Sequence, residues 1–369
     1  MSSVLQYLTG RKKNKKPGIL WITFITVLSY GQPTQETLSH KSYIAYHTTE
    51  NITIDGIPSE EAWQKISPTG LFTDIEGHKT PKYSTSVKIL WDKECIYFLA
   101  EMEEPHVWGN LKQKDTIIFY NNDFEIFIDP DNDTHNYYEF EINALNTLWD
   151  LFITKPYREG TPVLNDWDAK GFQSAIQIQG TLNNPDDTDK GWTLEIAIPL
   201  AVFKTSYFHD NNPANKFWRV NFSRVNWDFQ LINNKYSRKK DSKGNFAAEY
   251  NWVWSPTGVI DMHRPEDWGY VYFSLKEAGL QDNFTIPEDE KVKQLLYELY
   301  RKQKKYFNKN KRWATSIQEL LQSSRNIYDK NIAPTLENHQ TGWNISAVSP
   351  YTQHTYIIKE DGKIIQKEK

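Results

Sequence analysis

Asp123, Glu125, Asp129, Asp131, Asp133, Glu139 and Glu141 crowd into one short stretch of the chain. Carboxylates at alternate positions, as in Asp129-x-Asp131-x-Asp133, offer the hard oxygen ligands that Ca2+ takes. The expectation is a structural calcium on these three, with Asp123 and Glu125 nearby. The stretch is not an EF-hand loop, since Thr134 replaces the glycine at the sixth position and Phe140 the glutamate at the twelfth. A pair drawn from Asp123, Glu125 and Glu139 could also serve glycoside hydrolysis, although neighbouring strands bring such residues together without any ligand.

The elements that must hold these groups read as strands. Phe124, Ile126 and Ile128 alternate with Glu125, Phe127 and Asp129, and Tyr138, Phe140 and Ile142 alternate with Glu139, Glu141 and Asn143. An Asp-Pro-Asp-Asn-Asp turn lies between them, so the two form a hairpin at the centre of a β domain. Further strands are expected at 43–46, 52–54, 85–91, 96–102, 148–153, 172–178, 191–199, 217–224, 252–254 and 268–273. Ser59 caps a short helix carrying Trp63, and 233–250 reads as a polar loop. Many short strands with turns between them and little helix give a mainly β fold: a two-sheet antiparallel β-sandwich over 43–276. From 287 to 369 the pattern changes to a small α+β appendage. Val292, Leu295, Leu296, Leu299 and Tyr300 recur at helical spacing over 288–308, a short helix follows at 315–321, and strands follow at 343–348, 355–358 and 364–365.

Other residues suited to ligands lie in loops or at strand ends. Trp108, Trp149, Trp167 and Trp227 could stack on sugar rings, with Asp150 beside Trp149 taking hydroxyls; each could equally plug an end of the sandwich. Arg224 and Asn221 end a strand, where Arg224 could hold a ligand or pair with Glu125 or Glu195. Met262 and His263 precede the last strand. The nine histidines show no zinc spacing, and no nucleophile-elbow motif occurs, so an enzyme is not the expectation.

The 369 residues carry a net charge of −4, which gives no footprint for nucleic acid. Arg11, Lys12, Lys13, Lys15 and Lys16 precede a short apolar run, Ile19 to Leu28. That is a secretory signal over 1–31, with an uncleaved anchor as the alternative. No cysteine near residue 30 offers a lipid attachment point. The expected location is periplasmic or secreted, with no stable membrane insertion after cleavage. Cys95 is the only cysteine, so the fold stands on its apolar core.

The order of motifs supplies more than any one of them. Asp55-Gly56 and Glu61-Ala62-Trp63 are followed by Val87-Lys88-Ile89-Leu90-Trp91-Asp92 and by Asp123 to Asp129. Tyr138 to Asn143, Gly191 to Pro199, Arg219 to Arg224 and Pro265 to Gly269 complete the series. Together they resemble the family 9 carbohydrate-binding modules and their DOMON-like β-sandwich relatives, over residues 45–275. The resemblance implies non-catalytic binding of a glycan, a polysaccharide or oligosaccharide, in a carbohydrate-degrading system. It implies a sugar held between two tryptophans, with an arginine and carboxylates on its hydroxyls. Here the first tryptophan position falls at Phe119 or Tyr120, the second at Met262 and His263, and the arginine position at Glu141. The clamp is therefore not intact. Tyr120, Glu141, Asn143 and His263 are the positions carried over, and Ca2+ is the one cofactor implied. The alternatives are a structural or protein-interaction sandwich without sugar binding, and a haem module using Met102 or Met262 with a histidine.

Overall fold

The computed structural model describes residues 40–161, 163–204, 211–321 and 331–367. The segment expected as a signal, 1–31, lies outside them. The first strands are β1 (Ser42–His47), β2 (Thr73–Asp74), β3 (Thr85–Trp91), β4 (Cys95–Glu103), β5 (Asp123–Asp129), β6 (Tyr137–Asn143) and β7 (Leu148–Ile153). There follow β8 (Gln173–Gln179), β9 (Gly191–Pro199), β10 (Phe217–Asn226), β11 (Phe229–Ile232), β12 (Lys235–Arg238), β13 (Tyr250–Val253) and β14 (Gly269–Glu277). Hydrogen bonding runs β7-β6-β5-β10-β14-β1-β3-β4-β9-β8, with β13 and β2 attached beside β10. The path folds over on itself, because Phe98 of β4 meets Phe222 of β10 edge to face, their rings 5.8 Å apart. Two layers thus enclose one core. β1 is the hinge between them and pairs in parallel with both β14 and β3, unlike the antiparallel ladders elsewhere.

Alternation explains the core. Phe124, Ile126 and Ile128 of β5, and Tyr138, Phe140 and Ile142 of β6, face inward with Val220 and Phe222 of β10. Each such side chain contributes ~1.5–3 kcal/mol by leaving water. β5 and β6 are nonetheless buried at every position, so their outer faces are covered too.

Three local expectations differ from the structure. Residues 52–54 form no strand: the Thr53 amide donates to Glu60 and the amides of Asp55 and Gly56 to Glu195, so side chains serve this backbone. The short helix α1 (Glu61–Gln64) starts after Glu60 rather than at Ser59, and the Glu50 carboxylate accepts its first amides at 3.2 and 2.7 Å. The loop expected at 233–250 opens with the β11–β12 hairpin, turning on Asn233 and Asn234, both at positive φ.

Beyond the sandwich come α2 (Asp289–Asn310), α3 (Ile317–Leu321), β15 (Thr335–His339), β16 (Gly342–Val348), β17 (Thr355–Lys359) and β18 (Ile364–Lys367). β15 was not expected; it is polar, exposed and at an edge. Val292, Leu296, Leu299 and Tyr300 of α2 pack on Trp343, Ile345 and Ile358 of the four-stranded sheet. This part has its own core, yet it is bolted to the sandwich by polar contacts. Arg219 of β10 pairs with Glu290 at 3.0 Å, Arg301 of α2 reaches Glu266 at 3.0 Å, and Lys155 meets Asp361 at 3.0 Å.

Candidate functional site

The register across the outer face decides what meets what. Trp149 of β7 lies opposite Glu141 of β6, Glu141 opposite Glu125 of β5, and Glu125 opposite Ser223 of β10. In the next row Leu151 lies opposite Glu139, and Glu139 opposite Phe127. Asp123 and Asn143 pair at the near end. The outer face is therefore acidic at one end. It turns apolar at the other, where Phe127, Tyr137, Leu151 and Ile153 pack under Met262 and Trp268. Like charges directly opposite one another destabilise a sheet, so the Glu125–Glu141 pair is a cost that the fold accepts.

The cost is large because the group is dry. Asp123 is fully buried and Glu125, Glu139 and Glu141 are nearly so. One carboxylate oxygen each from Asp123, Glu125 and Glu141 lies within 4.8 Å of the others. Neither oxygen of Asp123 completes a hydrogen bond, and nor does Glu139 Oε2. Glu141 Oε2 accepts the Phe119 amide at 3.0 Å. Burial, then the Glu125 charge, raises Asp123 well above the ordinary range; the Val225 amide nearby opposes this without closing a hydrogen bond. Burial raises Glu125 to about 7, with the Ser223 hydroxyl opposing and the Glu249 charge adding. Glu139 and Glu141 rise for the same reasons, burial first and neighbouring carboxylates second.

Two tyrosines stand beside this floor. Tyr120 is 41% exposed and follows Phe119, whose amide holds Glu141. Tyr157, also 41% exposed, feels the charges of Glu139, Glu141 and Glu125. Its ring lies 3.7 Å from that of His263, centroid to centroid. His263 in turn bonds the Tyr137 hydroxyl at 2.9 Å, and burial with the Arg158 charge lowers it to about 3, so it is neutral. The loop bearing Tyr157 is pinned on both sides. Arg158 forks onto Glu266, and Glu159 accepts Lys304 at 3.0 Å and the Tyr300 hydroxyl. Tyr157 was missed in the sequence because its loop was read only for Trp167.

The remaining expected residues divide by face. Period two sends Asp150 inward, away from its neighbour Trp149, where it takes Lys114 at 2.8 Å and the Ala169 amide at 2.6 Å. Trp167 packs against Tyr138, Phe140 and Phe152 and closes that end of the core. Trp149 is half-buried on the acidic side, with its indole N–H on Asn165 at 2.7 Å. Trp108 is buried, parallel to Tyr236, and Trp227 is buried with its N–H on the Phe119 carbonyl. Neither indole offers a free face. Arg224 points inward and pairs with Glu104 at 2.9 Å, not with Glu125 or Glu195. Asn143 is fully buried and braces the turn after β6, donating to Leu111 and accepting from Leu145 and Thr147. Met102 lies in the main core and Met262 in the cluster under the outer face, so the two methionines belong to separate clusters.

The oxygens of Asp129, Asp131 and Asp133 also converge within 4.8 Å. Asp129 accepts the amides of Asn132 at 3.2 Å and Thr134 at 2.8 Å, and Lys363 from the β17–β18 turn lies 2.7 Å from Asp133. An ammonium already stands among these oxygens. A surface depression of about 610 Å³ beside His47, Trp91, Leu200 and Leu275 contains none of the expected residues.

Residues 54–259 match the model of the carbohydrate family 9 binding domain-like family, which is more than half of the chain. The chain belongs to that family. The chain shares 25% identity over 162 residues with endo-1,4-beta-xylanase A of Thermoanaerobacterium saccharolyticum, a match covering 44% of this chain but only 12% of the xylanase. Among solved structures, a putative carbohydrate-binding protein of Bacteroides uniformis is 17% identical and covers 64% of this chain and all of its own, with a TM-score of 0.47. A family 9 carbohydrate-binding module of Caldicellulosiruptor kristjanssonii, solved with cellotriose, is 17% identical over 66% of this chain and 98% of its own, with a TM-score of 0.40. Tyr120 and Tyr157 are the exposed rings beside the acidic floor. Among the described residues no helix is long and apolar enough to cross a membrane.

Proposed function

We propose that this family 9-like chain binds a glycan without cleaving it, at the acidic end of the outer face. One observation carries the reading: two exposed tyrosines stand beside buried carboxylates in a chain of a carbohydrate-binding family. Tyrosine faces stack on the C–H surface of a sugar ring, while Glu125, Glu141 and half-buried Trp149 border the floor beneath. Hydrolysis is disfavoured because an acid and a nucleophile must flank the scissile bond. Here the carboxylates share one face and are buried. The basic and apolar run before residue 31 supports export, and with it a role in extracytoplasmic polysaccharide degradation.

The test is a titration of the full chain with xylan, glucan, mannan and pectin oligosaccharides, followed by tryptophan fluorescence and calorimetry. The match to a xylanase puts xylo-oligosaccharides first. Saturable binding, weakened roughly fivefold on Tyr157→Ala and with no release of reducing ends, is the expected result. No binding at millimolar concentration of any sugar would end the glycan reading and leave the protein-interaction role.

A further inference from the structure

We propose that Asp123, Glu125 and Glu141 hold a divalent cation, Ca2+ in the first place, in the floor of the outer face. Their oxygens already converge within 4.8 Å, a spacing that one ion ligated at ~2.3–2.6 Å can bridge. All the donors are carboxylate oxygens, which suit a hard cation rather than a thiophilic one.

The second observation is Asp123 itself. It is fully buried and aimed into the cluster, and both of its oxygens lack a hydrogen bond. A buried carboxylate in that state costs several kcal/mol unless a proton or a cation meets it. Lysine or arginine does not supply the charge: among the described residues no ion pair involves Asp123, Glu125, Glu139 or Glu141. The contrast with the Asp129 loop is direct, since Lys363 and two backbone amides serve that loop. Glu139 Oε2 also lacks a hydrogen bond, in the adjacent row of the same face. The ion would turn a floor of stacked negative charge into one that can accept a ligand's oxygens. The site stands whether or not a glycan binds above it.

Calorimetric titration of CaCl2 into the full chain, stripped with chelator, tests the proposal at pH 7.5. One saturable site is expected. Asp123→Asn should weaken it at least a hundredfold and Glu141→Gln at least tenfold, while Asp133→Asn leaves it in place. Asp123→Asn replaces an unpartnered buried carboxyl at constant shape, so in chelator its melting temperature should equal or exceed that of the parent. If that variant does not fold, Glu125→Gln carries the same test. Absence of Ca2+ binding by the parent overturns the proposal. So does a site untouched by Asp123→Asn and Glu141→Gln, or one removed by Asp133→Asn alone.

Discussion

Arg158 forks onto Glu266, Nη1 to Oε1 at 3.0 Å and Nη2 to Oε2 at 3.2 Å, one residue along from Tyr157. Arg301 of α2 reaches the same carboxylate at 3.0 Å. Burial alone would push Glu266 up; Arg158, Arg301 and Arg264 outweigh it and hold the carboxyl at about 2. The wall of the site and the C-terminal helix therefore share one buried anion.

Glu266→Gln leaves two arginines without their partner in a dry site and should cost ~3–5 kcal/mol, read as a lower denaturation midpoint. Lys304→Ala removes a partly exposed contact to Glu159 and should cost at most ~1 kcal/mol. If the appendage sets the wall, both variants lower glycan affinity. Unchanged affinity in both would mean that Tyr157 is positioned by His263 alone.

Exposed and buried aromatics should separate cleanly. Tyr120→Ala and Tyr157→Ala should each weaken sugar binding by about 1 kcal/mol, roughly fivefold, with little change in melting temperature. Trp108→Ala should instead destabilise the fold by ~3–5 kcal/mol, because it empties a buried site against Tyr236. The paired measurements are ligand titration and thermal unfolding on the same samples.

Stability should fall as pH rises through neutrality in chelator. The folded state keeps protons on Asp123, Glu125, Glu139 and Glu141 that the unfolded chain gives up. Stability from such raised carboxyls is complete below the unfolded value of about 4 and is lost as pH rises through the folded one, about 7 for Glu125. His40 and His263 are held low, so their contribution is complete above about 6.5 and lost only as pH falls. Half-buried Glu249 and the Tyr157 ring also face the cluster. Between pH 6.5 and 8.5 the melting temperature should drop more steeply in the parent than in an Asp123→Asn, Glu125→Gln double variant. Saturating Ca2+ should flatten the parent's slope. Equal slopes would show that the cluster does not govern this window.

Lys363→Met tests the acidic loop. Removing the ammonium takes away the 2.7 Å partner of Asp133, so the melting temperature should drop in chelator. Calcium should restore it through a second, weaker site in a titration. Failure of Ca2+ to restore it would assign this loop a purely protein-supplied counter-charge.

Much of the frame was legible in the residues. Alternation in 123–129 and 137–143 named the inward and outward sets, and the helical spacing of Val292, Leu296 and Leu299 named α2. The ends of elements were less legible where side chains serve the backbone, as Glu195 does for Asp55 and Gly56. The β11–β12 hairpin was hidden because Asn233-Asn234 reads as polar loop until its positive φ values are seen.

The sequence by itself determined the sandwich, its central acidic hairpin and the family, because these follow from local periodicity and from the order of short motifs. The tertiary structure decided which of those residues share a site. Strand period two put Trp149 and Asp150 on opposite faces, and cross-strand register set Glu125 against Glu141. Long-range packing buried Trp108 and Trp227, exposed Tyr157, and tied its loop to a helix more than a hundred residues away in the chain. Pairings across such separations depend on how sheets fold over and dock, which no local spacing encodes.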